Sequence, residues 1–246
     1  FMTSPYSLDI LNEINPYVNA IKIGSGDITW IDIVKEIAKK NKVGILATGA
    51  STLFEVSIAV KAYLKINKSL VLMQCNTNYT GDKKNINVVN LNVLKQFKKK
   101  FPNIILGLSD HTFGHSSVLG AVALGARVIE KHFTDNNNKN GPDHFFAMNP
   151  KSWKEMVKNT REIETALGDG LKIVEKNEIG AKTVQRRSIR INRDISKGTV
   201  VKENMLSFLR PCPSNALDPS QKKLVLNKTL KKALKSEDII MLKDVK

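Results

Sequence analysis

Short apolar runs alternate with amphipathic segments along residues 19–133. The runs are rich in Ile, Val and Leu, as strands buried on both faces of a parallel sheet are. They lie near residues 19–24, 43–47, 69–75, 104–108 and 127–131. Between them, apolar residues recur at helical spacing, for example at Leu53, Val56, Val60 and Leu64. A later helix carries Trp153 to Leu167 and ends at Gly168. The pattern predicts an α/β domain built from five strand–helix units.

Five units are fewer than a closed barrel of this type contains. A (β/α)8 TIM-type barrel needs eight, and a sheet left open exposes apolar edges. Residues 1–6 read like the end of a strand that enters a turn. We therefore expect a (β/α)8 TIM-type barrel that lacks its first two to three β/α units. The alternative is an open sheet of five or six strands that is complete as it stands.

The alternation of apolar strands and amphipathic helices stops after Gly168. A charged linker is expected over residues 169–185, between a barrel domain at 1–168 and a small domain at 186–246. Four strand-like pieces separated by turns predict that the small domain is mostly β. These pieces are Ser188–Ile191, Asp194–Thr199, Met205–Arg210 and Ile239–Leu242.

The formal charge of +16 indicates anionic partners. Lysine is spread along the whole chain and aromatic residues make up only 6%, whereas nucleic-acid modules concentrate stacking aromatics or a groove-reading helix in one basic face. We expect a lysine-rich surface that attracts small anions, and no nucleic acid as partner. A true polyanion site is the alternative.

Membrane association and disulfide bonding are not expected. The longest apolar stretch, near Gly120 to Ile129, is too short to span a bilayer, and no charged-then-apolar leader opens the sequence. A cytoplasmic protein is the resulting prediction. Cys75 and Cys212 match neither a disulfide framework nor a zinc-ligand spacing, so both are expected to be free thiols.

Polar side chains cluster where the predicted strands end, and the carboxyl ends of parallel strands meet at one edge of a sheet. His111 and His132 follow adjacent strands, so their imidazoles either share a divalent metal or serve as hydrogen-bonding groups at the barrel rim. Lys22, with Ser25 nearby, suits phosphate or carboxylate oxygens. A Schiff-base role and a lysine that extends into solvent are the alternatives for Lys22.

Seven segments resemble, in order and spacing, the sialic acid synthase family. The small domain resembles the antifreeze-like (SAF) domain of that family through residues 194–198 and 209–211. The resemblance covers essentially the whole chain. The seven segments are residues 22–27, 46–49, 75–79, 107–112, 121–126, 128–134 and 141–144.

This resemblance implies a condensation of phosphoenolpyruvate with an N-acetylated mannosamine-like sugar, which gives a nine-carbon 2-keto acid and phosphate. It implies Mn²⁺ or Mg²⁺ as cofactor, and a homodimer whose SAF domains are swapped so that Arg210 reaches the partner's site. The residues it implies are Lys22, Asp27 and Asp143 as catalytic groups, His111 and His132 as metal ligands, and Ser4, Ser25, Thr77, Tyr79, Ser109 and Arg210 as substrate-binding groups.

The chain departs from the family pattern at several positions. Asp27 stands where glutamate is usual, Ala47 replaces a serine, and Asn227 replaces a glycine. A first-strand glutamate and a second-strand lysine and glutamine have no counterpart, so little or no synthase activity is expected of this chain. Residues 141–144 favour N-acetylneuraminic or legionaminic acid as the product class over pseudaminic acid.

Two rival functions remain. A non-catalytic basic protein could bind an anionic polymer through its lysine-rich surface. A related barrel enzyme could join phosphoenolpyruvate to a sugar phosphate, but such enzymes lack the SAF-like region, so residues 186–246 argue against it.

Overall fold

The computed structural model describes residues 1–246, which divide into two compact units, Phe1–Asp169 and Gly170–Lys246. The first unit is a curved parallel sheet of five strands in the order β1-β2-β3-β4-β5, the arrangement of an open half-barrel. The strands lie close to the predicted runs. They are β1 Ala20–Ile23, β2 Val43–Ala47, β3 Leu70–Cys75, β4 Ile105–Asp110 and β5 Ala126–Lys131.

Helices follow the strands and cover the outer face of the sheet. Helix α3 begins with a capping box, in which Thr52 and Glu55 each accept a hydrogen bond from the backbone amide of the other. The long helix α6 begins with the same arrangement between Asn149 and Ser152. Gly168, at φ +56°, follows the end of α6 as predicted. The helices of this unit are α1 Leu8–Ile14, α2 Ile31–Lys39, α3 Leu53–Leu64, α4 Val93–Lys100, α5 Ser116–Ala123 and α6 Pro150–Ala166.

The main core lies between the sheet and these helices. Alternate residues of each strand, such as Ile21, Leu46 and Leu72, are fully buried against helical residues such as Tyr63. A smaller apolar cluster of Ile45, Val71 and Met73 lies apart from that core. The sheet therefore presents buried side chains on both faces, which explains why its strands read as continuous apolar runs.

Thr3 adds one further parallel contact to the sheet. It forms a bridge with Ile21, and its carbonyl accepts a hydrogen bond from the Lys22 amide at 3.0 Å. Thr3 thus lies beside β1 in the position of a strand end, as the sequence predicted for residues 1–6.

The second unit has its own apolar core and a two-stranded antiparallel sheet, β6 Ser188–Ile191 and β7 Leu206–Leu209. Two of the four predicted strands are therefore present. The other two pieces form only isolated bridges, Ile195 with Leu234 and Ile239 with Arg190. Helix α7, Ile179–Gln185, lies within the predicted linker.

No helix of the protein combines the length and the apolar character needed to cross a bilayer.

Candidate active site

Two histidines lie side by side where β4 and β5 end. Asp110 and Lys131 are register partners and the last residues of their strands, so the residues that follow them, His111 and His132, are neighbours across the sheet edge. Their ring centroids are 5.1 Å apart. The structure therefore brings together the two imidazoles that the sequence predicted to converge.

Burial keeps both imidazoles neutral near pH 7. Loss of hydration lowers the pKa of His111, and the nearby carboxylates of Asp110 and Glu130 oppose this shift only in part. Burial also lowers the pKa of His132, and the neighbouring His111 adds to the effect. Neutral imidazole is the form that binds metals. The pair can therefore offer lone pairs to a cation without first losing protons.

Other side chains surround the two rings and occupy their Nδ1 sides. The Nδ1 of His132 lies 3.4 Å from Oδ2 of Asp143, and the Nδ1 of His111 lies 3.9 Å from Sγ of Cys75. The Tyr79 ring packs edge-on against His111 with centroids 4.5 Å apart, and burial raises the pKa of its phenol. On His132, the Asp143 contact is made by Nδ1, so Nε2 is the nitrogen on the other side of the ring.

An ion pair spans the curved sheet beside the histidines. Lys22 Nζ on β1 lies 2.6 Å from Glu130 Oε1 on β5, although these strands are not neighbours in the sheet. The second oxygen of Glu130, Oε2, is buried and has no hydrogen-bond partner. A buried carboxylate oxygen without a partner is costly, so the site has one unmet requirement for a cation or a hydroxyl donor.

The donors present fit a divalent cation with an open coordination shell. His111 and His132 supply two neutral nitrogens, and Glu130 Oε2 supplies a carboxylate oxygen that has no hydrogen-bond partner. No group of three or more His, Cys, Asp and Glu residues is arranged to enclose a metal. Water or substrate oxygens would therefore have to complete the shell.

Three backbone and hydroxyl groups lie together at the ends of β1, β2 and β3. Ser25 Oγ accepts a hydrogen bond from the Gly49 amide at 3.0 Å. A Cβ atom at Gly49 would lie only 1.6 Å from Thr77 Oγ1, so Gly49 lets these loops approach each other closely. Hydroxyl and amide groups grouped in this way suit anionic oxygens.

Two more predicted residues line recesses at this edge. Ser109 is buried on β4 and borders a small recess together with His111. Ser4 lines a cavity of about 340 Å³ together with Lys22 and Glu130. Ser4 and Ser109 therefore flank the ion pair and the imidazole pair.

Lys131 also ends a strand, but it is bound within the protein and does not offer its ammonium group to an anion from solution. Its Nζ lies 2.6 Å from Asp110 Oδ2 and donates to the Thr112 carbonyl at 2.7 Å. Both side chains are almost completely buried. Asp110 also accepts from Thr112 and Ser117. This network joins the ends of β4 and β5 at the residues that precede the two histidines.

Several candidates lie outside the cluster. The Asp27 carboxylate lies near Gly24 and has no hydrogen bond or ion pair with the cluster. Arg210 belongs to the second unit, where its Nε donates to the Gln185 carbonyl at 2.7 Å. The other two histidines of the chain have hydrogen-bond partners of their own: His115 bonds to Asn159, and His144 bonds to Thr134.

Glu130 is the residue that sequence reasoning noted but did not select. It stands two residues before His132, in the same polar cluster. Its pairing with Lys22 joins positions 108 residues apart, and only the curvature of the sheet brings them together. The one available signal was an acidic residue next to the end of a strand, two positions before a histidine.

Comparison with known families agrees with this architecture. Residues 1–172 match the NeuB family, and residues 186–246 match the SAF domain. The chain belongs to the NeuB family. NeuB-family relatives include proteins named as legionaminic acid, pseudaminic acid and N-acetylneuraminate-9-phosphate synthases.

Individual NeuB-family proteins match nearly the full chain. An uncharacterized protein of Methanocaldococcus jannaschii, MJ1065, is 39% identical over 100% of this chain and 72% of its own length. The N,N'-diacetyllegionaminic acid synthase of Campylobacter jejuni is 36% identical over 98% of this chain and 71% of its own length.

A solved structure supports the fold. The crystal structure of a spore coat polysaccharide biosynthesis protein E from Chromobacterium violaceum has a TM-score of 0.78 at 21% identity, covering 100% of this chain and 73% of that one. The two chains therefore share a fold.

Proposed function

We propose that this protein carries the strand-end residues of a sialic-acid-type synthase that condenses phosphoenolpyruvate with an N-acetylated mannosamine-like sugar. In this reaction C3 of phosphoenolpyruvate bonds to the aldehyde carbon of the open-chain sugar. Water adds at C2, and phosphate leaves by cleavage of the C–O bond. The product is a nine-carbon 2-keto acid. The observation that carries the proposal is the convergence of two neutral imidazoles beside the Lys22–Glu130 pair.

Phosphoenolpyruvate would lie on the Lys22 side of the site. The Lys22 ammonium is half-buried and shares its charge with only one carboxylate oxygen, so it can also contact an anion. Ser25, Thr77 and Ser109 would donate hydroxyl hydrogen bonds to phosphate or carboxylate oxygens, and Ser4 borders the same cavity. These groups would hold the enol ester in one orientation, which is a large part of catalysis for a two-substrate reaction.

The sugar would lie on the histidine side. Tyr79 is half-exposed above both imidazoles, and Asp143 faces His132, so both can contact sugar hydroxyls. His111 and His132 would hold Mn²⁺ or Mg²⁺, which when bound polarises a carbonyl oxygen and stabilises developing negative charge. Asp27, which lies outside this cluster in the short turn Ser25–Asp27 after β1, would act with a shorter reach than the glutamate usual in this family.

We infer an N-acetylneuraminic or legionaminic acid as the product class. Two features support this inference. Residues 141–144 carry the Gly-Pro-Asp-His element that contributes Asp143. The chain is also 36% identical to an N,N'-diacetyllegionaminic acid synthase, compared with 34% to a pseudaminic acid synthase of the same organism.

We also propose a homodimer in which the SAF domains are exchanged. The segment that opens the second unit exposes apolar side chains, including Ile173, Val174 and Ile179. Exposed apolar side chains that lie close together are typical of a protein–protein contact surface, so we propose that this segment contacts a second copy of the chain. Arg210, exposed on the second unit, would then reach the partner's substrate.

Ligand-dependent stabilisation tests the proposal without requiring turnover. A ligand that binds only the folded protein raises its melting temperature. We expect Mn²⁺ and phosphoenolpyruvate each to raise the melting temperature of the wild-type protein, and the Mn²⁺ effect to disappear in His132→Ala. His115→Gln is the matched control, since it removes an imidazole whose only hydrogen bond is with Asn159.

The rival function predicts the opposite pattern. A basic protein that binds an anionic polymer would show no shift with manganese or phosphoenolpyruvate. It would instead bind nucleic acid with an affinity that falls steeply as salt is raised. That combination would reject the synthase proposal.

A further inference from the structure

The loop between β5 and α6 is held by one amide side chain. Asn137 Nδ2 donates to the carbonyls of His144 and Ala147, each at 2.8 Å. Its Oδ1 accepts from Asn149 Nδ2, also at 2.8 Å. All three bonds lie within residues 134–149, here named the Asp143 loop. Asn137 therefore ties both sides of this loop together.

The direction of these bonds follows from the helix that comes next. Asn149 Oδ1 accepts from the Ser152 amide at the start of α6, so its Nδ2 group must face Asn137. Asn137 can accept that bond only through Oδ1, which turns its own Nδ2 group toward the two carbonyls. The Asp143 loop is thus anchored to the N-terminus of α6 through two consecutive amides.

The residue enclosed by these bonds has an unfavourable backbone conformation. Asp143 has φ +71°, a region that residues with a Cβ atom rarely adopt. Its carbonyl accepts from the amide of Ala147 at 3.1 Å, and the carbonyl of the same Ala147 is bound by Asn137. Backbone strain of this kind persists only where surrounding contacts enforce it, and it is common at functional positions. Its effect here is to direct Asp143 Oδ2 toward His132 Nδ1 at 3.4 Å.

We propose that Asn137 is a positioning residue that acts through Asp143 to fix the orientation of the His132 imidazole. Without its three bonds, the Asp143 loop can relax to an unstrained φ, and the carboxylate moves away from the ring. A histidine that loses its partner at Nδ1 loses its fixed tautomer and orientation. This inference rests on the proposed function, because it assigns His132 the role of a metal ligand.

Asn137→Asp and Asn137→Ala test the role, with Asn138→Asp as the matched control. Asp at 137 keeps the size of the side chain but directs an oxygen at two carbonyl oxygens, whereas Ala simply removes the bonds. Asn138 is adjacent and exposed, and only its backbone amide is hydrogen-bonded, so Asn138→Asp adds the same charge without breaking a side-chain bond.

Cobalt(II) is a suitable probe because its visible absorption reports ligand geometry. We expect both Asn137 variants to bind Co²⁺ about tenfold more weakly, the lower end of the range for residues that support metal ligands. Their Co²⁺ spectra should also change. The melting temperature of each metal-free variant should stay close to that of the wild type. Asn138→Asp should match the wild type in affinity and spectrum. Unchanged affinity and spectrum in the Asn137 variants would overturn the proposal.

Amide hydrogen exchange separates this proposal from the proposed function. The amides of His144 and Ala147 bond to carbonyls inside the Asp143 loop, so both should exchange faster in the Asn137 variants and not in Asn138→Asp. If the wild type binds no Co²⁺ but exchange rises as expected, the synthase assignment fails and the Asn137 contacts stand. If exchange at these amides does not rise, the positioning role of Asn137 is wrong whatever metal binds.

Discussion

The candidate site depends on a few side chains whose protonation is set by burial. His111 and His132 lose hydration where β4 and β5 end, and the pKa of each falls below its ordinary value of 6.5. The Asp143 carboxylate beside His132 only partly offsets this effect. Residue identity alone leaves an imidazole able to be charged or neutral at pH 7, and the environment decides between the two.

Metal binding should therefore persist to mildly acidic pH. Protons compete with a cation for the imidazole nitrogens, and with both pKa values lowered this competition begins only below 6.5. We expect Mn²⁺ affinity, measured by calorimetry over a range of pH, to be constant above pH 6.5 and to fall below it. Loss of affinity that begins above pH 7 would contradict neutral imidazoles.

The same shifts affect folding. The unfolded chain binds the two protons more tightly than the folded protein, because burial lowers the pKa of each histidine in the folded state. Titration of the two histidines therefore does not reduce the free energy of unfolding above pH 6.5. As the pH falls below that value, the free energy of unfolding decreases.

At the scale of elements, the ends of β4 and β5 are joined by a buried ion pair. Asp110 and Lys131 are register partners, and their side chains are 1% and 2% exposed. Because the residue after each strand is a histidine, the ion pair joins the two strand ends directly before the imidazoles. A buried pair of this kind is costly to break but adds little stability when both partners are replaced together.

Lys131→Met should destabilise the first unit by about 3–5 kcal/mol, since it leaves the Asp110 charge buried without its cation. The double variant Lys131→Met with Asp110→Asn should recover part of this loss, because the buried charge is gone. Unfolding in urea measures both. Lys139→Met removes the exposed Lys139–Asp135 pair and should cause no measurable change. If Lys131→Met and Lys139→Met lowered the free energy of unfolding equally, burial would not determine how much an ion pair contributes to stability.

At the scale of the whole molecule, the two units have separate cores. The core of the second unit is formed by residues between Ile189 and Val245, and Ile240 within it is completely buried. Both tryptophans, Trp30 and Trp153, lie in the first unit. Tryptophan fluorescence therefore reports the unfolding of the first unit alone.

Ile240→Ala should destabilise the second unit by about 2–5 kcal/mol through loss of contacts and the cavity it leaves. We expect amide hydrogen exchange to become faster in β6, because the Ile189 carbonyl of this strand accepts a hydrogen bond from the backbone amide of Ile240. The fluorescence transition of the first unit should not move. A matching shift in that transition would mean that the two units unfold together.

Much of this architecture was predictable because it depends on local patterns. Buried parallel strands are apolar throughout, and helices between them repeat their apolar residues at fixed spacing. The five strands and the long helix before Gly168 were predicted in this way. The second unit was harder, because its short bridges at Ile195 and Ile239 lack the repeated pairing that makes a strand recognisable.

The sequence by itself determined the parallel sheet, the appended small unit and the convergence of His111 and His132, since strand ends in a parallel sheet meet at one edge whatever the details. Only the tertiary structure decided which charged groups pair. Lys22 meets Glu130 across the sheet, Lys131 is held by Asp110, and Asn137 holds the loop of Asp143. These pairings depend on the curvature of the sheet and on the path of a loop. Both arise from the packing of residues far apart in the chain, which no local pattern records.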